Sequence, residues 1–267
     1  MPYAEVNDIR VYYEEAGAGE PLLLLHGALG AVDPAVTSGW FALLPALAGR
    51  YRTFSVETRG HGRTDNPAGE LSYKQFGEDV AAFIERLELG PVHLAGFSDG
   101  ATTGLVLGMT RPELLRSLVA VGANYRIDEH LREGLALFDA EMLERESPEF
   151  ASELARRHDA HHHLGYWREL VGQVRENVER EMVWTEDDLR RIPTPTLLVM
   201  GEGDFALSLG QMLEMRRSIP NAEMLILNHA GRDGLDNHRV QSTRPEAVGP
   251  VMLEFLARQG GADGPRA

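Results

Sequence analysis

The sequence predicts an α/β fold: a mostly parallel sheet with helices on both faces. Short apolar runs of strand length recur along the chain and alternate with segments of helical periodicity. Such alternation is typical of parallel sheets that are covered on both faces. One long block of charged, helix-forming sequence, 123–194, interrupts the alternation. We therefore expect a core domain formed by 1–122 and 195–267, with 123–194 inserted after the sixth strand as a helical cap, or lid, domain.

The first half of the chain predicts an edge hairpin followed by four buried strands. Residues 4–15 alternate in polarity around Asn7-Asp8, which is typical of a β-hairpin at the edge of a sheet. The continuous apolar runs that follow indicate strands buried on both faces, at 22–25, 53–56, 92–97 and 115–122. Helical patterns between these runs predict helices over 40–47 and 73–87, and from the end of the third run to about Thr110.

The second half of the chain predicts the cap and then the rest of the sheet. Three helices are expected in the cap, over 131–145, 148–158 and 167–182, and no strand is expected there. Pro193-Thr194-Pro195 ends the helical block, because proline cannot continue a helix. The remaining pattern predicts strands over 196–200 and 223–227 and helices over 211–219 and 245–258.

One five-residue motif lies where the third buried run gives way to a helix. It reads Gly96-Phe97-Ser98-Asp99-Gly100, a G-x-S-x-G pattern. At such a strand-to-helix turn the serine has strained backbone geometry, and the glycines allow the chain to pass close to itself. The helix that follows aims free N–H groups at the same point, where they can hold a negative charge. The motif therefore makes Ser98 a candidate nucleophile.

Composition limits the classes of function that need to be considered. The chain has 267 residues and a formal net charge of −15, which argues against nucleic acid or an anionic membrane as a partner. It contains no cysteine, which excludes disulfides, thiolate catalysis and zinc–thiolate sites. No signal peptide and no apolar run of membrane-spanning length is visible. We expect a cytoplasmic enzyme with a small-molecule substrate, either a monomer or a homodimer.

The order of motifs along nearly the whole chain resembles the α/β-hydrolase fold. The match is closest to its serine esterase-like and biphenyl-hydrolase-like members, which can have Ser-Asp-Gly at the turn. Each motif is common alone, but the full set in this order is specific. Besides the G-x-S-x-G turn, the matching pieces are His26-Gly27, Arg59-Gly60-His61-Gly62, Gly201-Glu202-Gly203-Asp204, and a histidine before Arg244-Pro245-Glu246.

The resemblance implies a catalytic role for five residues. Ser98 would be the nucleophile, His238 its general base and Asp204 the acid that orients the histidine, in the chain order Ser, acid, His of this fold. The backbone N–H groups of Ala28 and Asp99 would form the oxyanion hole. Each such donor is expected to supply roughly 3 kcal/mol of transition-state stabilisation.

Some of these assignments have alternatives. His229 is the second candidate for the base, because it follows the strand expected over 223–227 more closely. His238 is favoured because the run from it into the last helix matches the family without a gap. Leu29 is the alternative to the first oxyanion donor, and Asp233 and Asp236 are further candidates for the acid.

The family geometry also suggests residues for the substrate pocket. Apolar cap residues should turn towards the sheet, and residues beside the nucleophile should line the pocket floor. The candidates are His26, Leu29, Phe97, Phe138, Trp167, Trp184 and Phe205. His26 and His61 are expected to have structural roles around the oxyanion loop.

Four histidines cluster in the predicted cap. They are His158, His161, His162 and His163. Three of them would share a helical face, a spacing that metal sites also use. We expect a solvated stretch or a pocket rim here rather than a metal site, since the family chemistry needs no metal.

The resemblance implies a cofactor-independent serine hydrolase. It would cleave a carboxylic ester, thioester, lactone or activated amide through an acyl-enzyme. Carbon–carbon hydrolysis or perhydrolysis with the same residues is an alternative within the fold. A non-catalytic ligand receptor is the alternative outside enzymology, because a fold alone does not fix a function.

Overall fold

A single eight-stranded sheet forms the centre of the molecule. The computed structural model describes residues 2–33, 39–228 and 230–260. The strands are β1 (Tyr3–Val6), β2 (Ile9–Ala16), β3 (Pro21–Leu25), β4 (Arg52–Val56), β5 (Val92–Phe97), β6 (Leu115–Val121), β7 (Thr196–Gly201) and β8 (Ala222–Leu227). Their order in the sheet is β1-β2-β4-β3-β5-β6-β7-β8. The first hairpin pairs antiparallel and all strands from β4 to β8 along this order pair parallel, as the sequence predicts.

Helices flank the sheet and fill the block between β6 and β7. They are α1 (Leu44–Ala48), α2 (Tyr73–Arg86), α3 (Asp99–Thr110), α4 (Glu129–Leu135), α5 (Ala140–Glu146), α6 (Pro148–His158), α7 (Tyr166–Glu181), α8 (Glu186–Leu189), α9 (Leu209–Ser218), α10 (Gly234–His238), α11 (Val240–Thr243) and α12 (Pro245–Arg258). A short 3₁₀ turn, Pro112–Leu114, joins α3 to β6. Within the described ranges, no helix is long and apolar enough to cross a membrane.

Two predicted helices differ from the structure. The helix expected over 131–145 is two helices, α4 and α5, because Asp139 accepts a hydrogen bond from the Met142 N–H and so begins a second helix. The helix expected over 40–47 begins only at Leu44, with Pro45 in its first turn. Proline suits that position because the N–H it lacks has no partner there.

The sheet divides the hydrophobic core into two layers. Successive side chains of a strand point to opposite faces. In the fully buried β3, Leu23 and Leu25 pack with α2 and α3 on one face, and Leu22 and Leu24 pack with α12 on the other. This two-sided burial is why the run is apolar throughout and does not alternate.

A sharp turn at the end of β5 delivers Ser98 to the carboxyl edge of the sheet. Ser98 has φ 53° and ψ −117°, a region that non-glycine residues rarely adopt. A Cβ on Gly96 would lie 2.2 Å from the Gly100 carbonyl oxygen, and one on Gly100 would lie 2.5 Å from the His26 carbonyl oxygen. The two glycines of the motif are therefore required by backbone contacts on either side of the serine.

Residues 123–194, which we call the cap segment, connect β6 to β7 through helices α4 to α8. Contacts back to the core are made by side chains such as Tyr166, whose hydroxyl donates to the Gly60 carbonyl at 2.9 Å. We propose that this segment is a cap domain on a core formed by 1–122 and 195–267.

Replacing Gly96 with alanine should destabilise the fold. The new Cβ would overlap backbone atoms of Gly100, and backbone cannot move aside as a flexible side chain can. We expect Gly96→Ala to lower the free energy of unfolding by about 3 kcal/mol or more, measured by urea denaturation. The matched control is Gly172→Ala, at an exposed position of α7 with no atom near the added Cβ. It should raise stability by about 0.5–1 kcal/mol. Equal stability of the two variants would contradict the steric argument.

Candidate active site

Three side chains from separate loops form a continuous hydrogen-bonded chain. His238 Nε2 lies 2.9 Å from Ser98 Oγ, and His238 Nδ1 lies 2.9 and 2.8 Å from the two carboxylate oxygens of Asp204. With Nδ1–H donating to the carboxylate, the Nε2 lone pair is free to accept the serine proton. The structure therefore brings together the three residues that the sequence analysis favoured.

His238 is positioned by a short helix and by two aromatic rings. It is the last residue of α10, and its ring is buried between Phe97 and Phe205, at centroid distances of 5.0 and 4.9 Å. This packing limits rotation of the imidazole. Phe97 thus supports the histidine and does not line the cavity described below.

The Asp204 carboxylate accepts hydrogen bonds from the backbone as well as from His238. Its Oδ1 accepts from the Ala206 and Leu207 N–H groups at 2.8 and 3.0 Å. The Asp204 carbonyl accepts from Nε2 of His130, a cap-segment residue, at 2.7 Å. No pattern in the sequence points to His130, because only the fold brings α4 beside the loop after β7.

The sequence analysis also named one other candidate for the base and two for the acid. His229 lies outside the described residues. Asp233 accepts a hydrogen bond from the Asp236 N–H and so caps α10, and Asp236 pairs with Arg239 at 2.7 Å. Salt bridging holds the pKa of Asp236 down to about 2. Both carboxylates therefore shape the loop that presents His238.

Two backbone amides close to the nucleophile lack an acceptor within the described residues. Among the described residues, no intramolecular hydrogen bond is donated by the Ala28 or Asp99 N–H. Asp99 is the first residue of α3, where helix geometry leaves the N–H unpaired. Ala28 lines the same cavity as Ser98. The 27–30 turn that contains Ala28 is closed by a hydrogen bond of 3.0 Å from the Gly30 N–H to the Gly27 carbonyl.

Asp99, which follows the serine, also lines this cavity, and its side chain is largely buried. Its Oδ1 accepts a hydrogen bond of 2.7 Å from the Tyr73 hydroxyl, while its buried Oδ2 has no hydrogen-bond partner. Burial raises the pKa of Asp99 to about 6, although the Tyr73 hydrogen bond and the nearby His238 act in the opposite direction. Near neutral pH this carboxyl group can therefore be either charged or neutral.

A small cavity lies beside Ser98. Its floor includes Ala28, Ser98 and Asp99, and the side chains of Thr102 and Asn124 add polar groups. The cap segment supplies apolar walls, which are Leu131, Leu135, Phe138, Val174, Val178 and Met182. None of the described residues that line it is a lysine, arginine or histidine, so Asp99 is the ionisable side chain of this lining.

Two of the seven expected pocket residues, Phe138 and Phe205, line this cavity. The other five are not part of this lining. Trp167 lies on the buried stripe of α7, two turns before Val174. Its side chain is therefore buried, but it does not reach the cavity. Trp184 packs its ring against Tyr73 at 6.0 Å.

His26 and Leu29 also lie away from the cavity lining. The His26 ring is buried, with Nε2 accepting from the Thr58 N–H at 3.1 Å and Nδ1 donating to the Gly27 carbonyl at 2.7 Å. Burial lowers the pKa of His26 to about 4, so the ring is neutral at physiological pH. The Leu29 side chain is buried in the core and is not part of the cavity lining.

One of the four cap histidines is not solvated. His158 is fully buried and receives a hydrogen bond of 2.9 Å from the Gly62 N–H, whereas His161 and His163 are exposed. It ends α6 on the face that meets the core, which the spacing of histidines alone does not reveal. Within the described residues, no cluster of three or more His, Asp or Glu side chains has a geometry that could hold a metal ion.

Comparison with known proteins identifies the family. Residues 22–250 match the model of the alpha/beta hydrolase family. The chain is 24% identical to (E)-2-((N-methylformamido)methylene)succinate hydrolase from Acinetobacter baylyi, over 94% of this chain and 95% of that protein. It is 25% identical to 2-hydroxy-6-oxo-6-(2'-aminophenyl)hexa-2,4-dienoic acid hydrolase from Metapseudomonas resinovorans, over 96% and 91%.

A solved structure shows the same fold. A meta-cleavage product hydrolase from Pseudomonas fluorescens IP01 superposes with a TM-score of 0.78 at 19% identity, covering 97% of this chain and 98% of that one. The family model spans most of the sequence, from β3 to within α12. The resemblance seen in the motifs is thereby confirmed, and this chain belongs to the alpha/beta hydrolase family.

Proposed function

We propose that this protein is a serine hydrolase that cleaves a carboxylic ester, or a thioester, lactone or activated amide, through an acyl-enzyme. The observation that carries the proposal is the hydrogen-bonded chain from Ser98 Oγ through His238 to Asp204. A serine hydroxyl is a weak nucleophile until an adjacent base accepts its proton. Here the base lies at hydrogen-bond distance, and its other nitrogen is held by a buried carboxylate.

In the proposed reaction the same groups act once in acylation and once in deacylation. Ser98 Oγ attacks the substrate carbonyl while His238 Nε2 takes the serine proton. The Ala28 and Asp99 N–H groups hold the oxyanion, and His238 returns the proton to the leaving group. Water then repeats the sequence on the acyl-enzyme, with His238 again acting as the base. No cofactor or metal is required by this scheme.

The cavity lining favours neutral substrates over anionic ones. Its walls are apolar, its described lining has no basic side chain, and Asp99 places a carboxyl group beside the nucleophile. A substrate carboxylate would meet this group in a poorly solvated space, where like charges repel more strongly than in water.

A second candidate is hydrolysis of a carbon–carbon bond in an oxo-dienoic acid. It is favoured by the Metapseudomonas relative, which is named as the hydrolase of such an acid. The same serine, histidine and aspartate could serve that reaction. The acidic substrate does not fit the charge of this cavity, so ester hydrolysis is our first proposal.

Removing the nucleophile or its base should abolish turnover. We expect Ser98→Ala and His238→Ala each to lower kcat/KM for p-nitrophenyl butyrate by about 10⁴-fold, as in other triads whose members act as a unit. His229→Ala is the matched control and should keep most of the activity and the labelling of Ser98 by a fluorophosphonate. Loss of activity in His229→Ala but not in His238→Ala would assign the base to His229. A folded wild type that neither turns over nor labels would favour the receptor alternative.

The charge of Asp99 should control selection between neutral and anionic esters. At pH 7.5, above the pKa of about 6, Asp99 is ionised, so p-nitrophenyl hexanoate should exceed p-nitrophenyl hydrogen adipate in kcat/KM by about tenfold or more. As the pH falls below 6, Asp99 becomes neutral and this ratio should shrink. Protonation of the base lowers kcat/KM for both esters equally, so it does not change their ratio.

The matched variant is Asp99→Asn, which keeps an acceptor for the Tyr73 hydroxyl but has no charge. In it the ratio of the two esters should be small and independent of pH between 5.5 and 7.5. The same strong pH dependence in the variant would show that another group repels the adipate ester. Hydrolysis of an oxo-dienoic acid is assayed in parallel, which tests the second candidate function directly.

A further inference from the structure

Two consecutive cap-segment residues contact the turn that holds the first oxyanion donor. Arg157 Nη1 and His158 Nε2 lie 3.0 and 3.1 Å from the carbonyl oxygen of Leu29. We propose that Arg157 and His158 are positioning residues, which hold the 27–30 turn so that the Ala28 N–H points at the reacting carbonyl. This inference rests on the proposed function, because it assigns a task to a donor of the proposed oxyanion hole.

The 27–30 turn has a backbone conformation that its own sequence does not favour. Leu29 has φ 58°, in the left-handed region, at the third position of the turn closed by Gly27 and Gly30. Turns with a positive φ at this position normally have glycine or asparagine there. A leucine persists in this conformation only where surrounding contacts hold it. The described contacts on its carbonyl come from the cap segment.

The His158 ring is oriented so that it must donate to Leu29. Its Nδ1 accepts a hydrogen bond from the Gly62 N–H, so in the neutral ring the proton is on Nε2. Nε2–H then donates to the Leu29 carbonyl. Burial lowers the pKa of His158 to about 3, so the ring stays in this form across the working pH range. His158 thus bridges two loops that follow β3 and β4.

Arg157 adds a charged donor to the same carbonyl. Its side chain is 4% exposed, and its guanidinium is also held by Glu153 Oε1 at 3.0 Å, one turn earlier on α6. Hydrogen bonds from an ionised donor are stronger and shorter than those between neutral groups. Because both donors belong to α6, the turn keeps its shape only while α6 is docked. Cap docking and the geometry of the oxyanion hole are therefore coupled.

Arg157→Met tests this coupling, because methionine keeps an apolar stem and removes the guanidinium that donates to Leu29 and to Glu153. We expect kcat for p-nitrophenyl butyrate to fall by about 10–100-fold while KM changes little, since a misplaced donor weakens transition-state binding more than substrate binding. A trifluoromethyl ketone, whose adduct with Ser98 places an oxyanion in the hole, should bind more weakly by a similar factor. His158→Phe should act in the same direction, and His158→Gln, which keeps a donor, should recover part of the loss.

Tyr166→Phe is the matched control. It removes the hydrogen bond of 2.9 Å between the cap segment and the Gly60 carbonyl but does not touch the 27–30 turn. It should lower Tm by an amount comparable to the other variants, yet leave kcat and ketone binding near the wild-type values. All rates are measured at least 15 °C below the Tm of the least stable variant.

The outcomes separate this inference from the proposed function. Arg157→Met and His158→Phe with lowered Tm but unchanged kcat and ketone affinity would overturn the positioning role and leave the hydrolase proposal intact. A wild type that neither hydrolyses esters nor reacts with a fluorophosphonate would overturn the hydrolase proposal itself. If Arg157→Met does not fold, Arg157→Lys, which keeps the charge but replaces the planar fork with one ammonium, is measured against the same control.

Discussion

The close approach of the chain to itself at the end of β5 is the constraint on which the site depends. Gly96 and Gly100 let the backbone reverse within one turn, and Ser98 is left with φ 53° between them. The same contact places the start of α3 against the His26 carbonyl, so the turn after β3 and the helix after β5 meet. This contact between backbone segments therefore positions the nucleophile and both proposed oxyanion donors.

Two carboxylates near the serine have opposite surroundings. Asp204 is buried, and its carboxylate accepts hydrogen bonds from two backbone N–H groups and from His238. Asp99 has only the Tyr73 hydroxyl, and burial raises its pKa to about 6. The two carboxyl groups therefore differ in the hydrogen bonds that the fold supplies, and only Asp204 has those that suit the orienting acid that we propose.

The cap segment contributes more than the walls of the cavity. Its side chains make hydrogen bonds to carbonyl groups on several core loops: His130 to Asp204, Tyr166 to Gly60, and both Arg157 and His158 to Leu29. Each acceptor lies on a loop at the carboxyl edge of the sheet, and two of them, the Asp204 and Leu29 carbonyls, belong to or adjoin residues of the proposed machinery. A substrate that enters beneath the cap segment therefore meets loops whose shape depends on it.

The sequence by itself determined the sheet, the order of its elements and the favoured set of Ser98, Asp204 and His238. Buried strands and strand-end motifs are local patterns, so apolar periodicity and the family's motif order are enough to locate them. Tertiary structure decided what local pattern cannot encode. It placed Trp167 and Trp184 outside the cavity lining and buried His158 against Leu29. Whether an apolar or imidazole side chain reaches the substrate, the core or a neighbouring loop depends on how α4 to α8 pack on the sheet. That packing rests on contacts between residues far apart in the chain, such as His158 and Leu29, which are 129 positions apart.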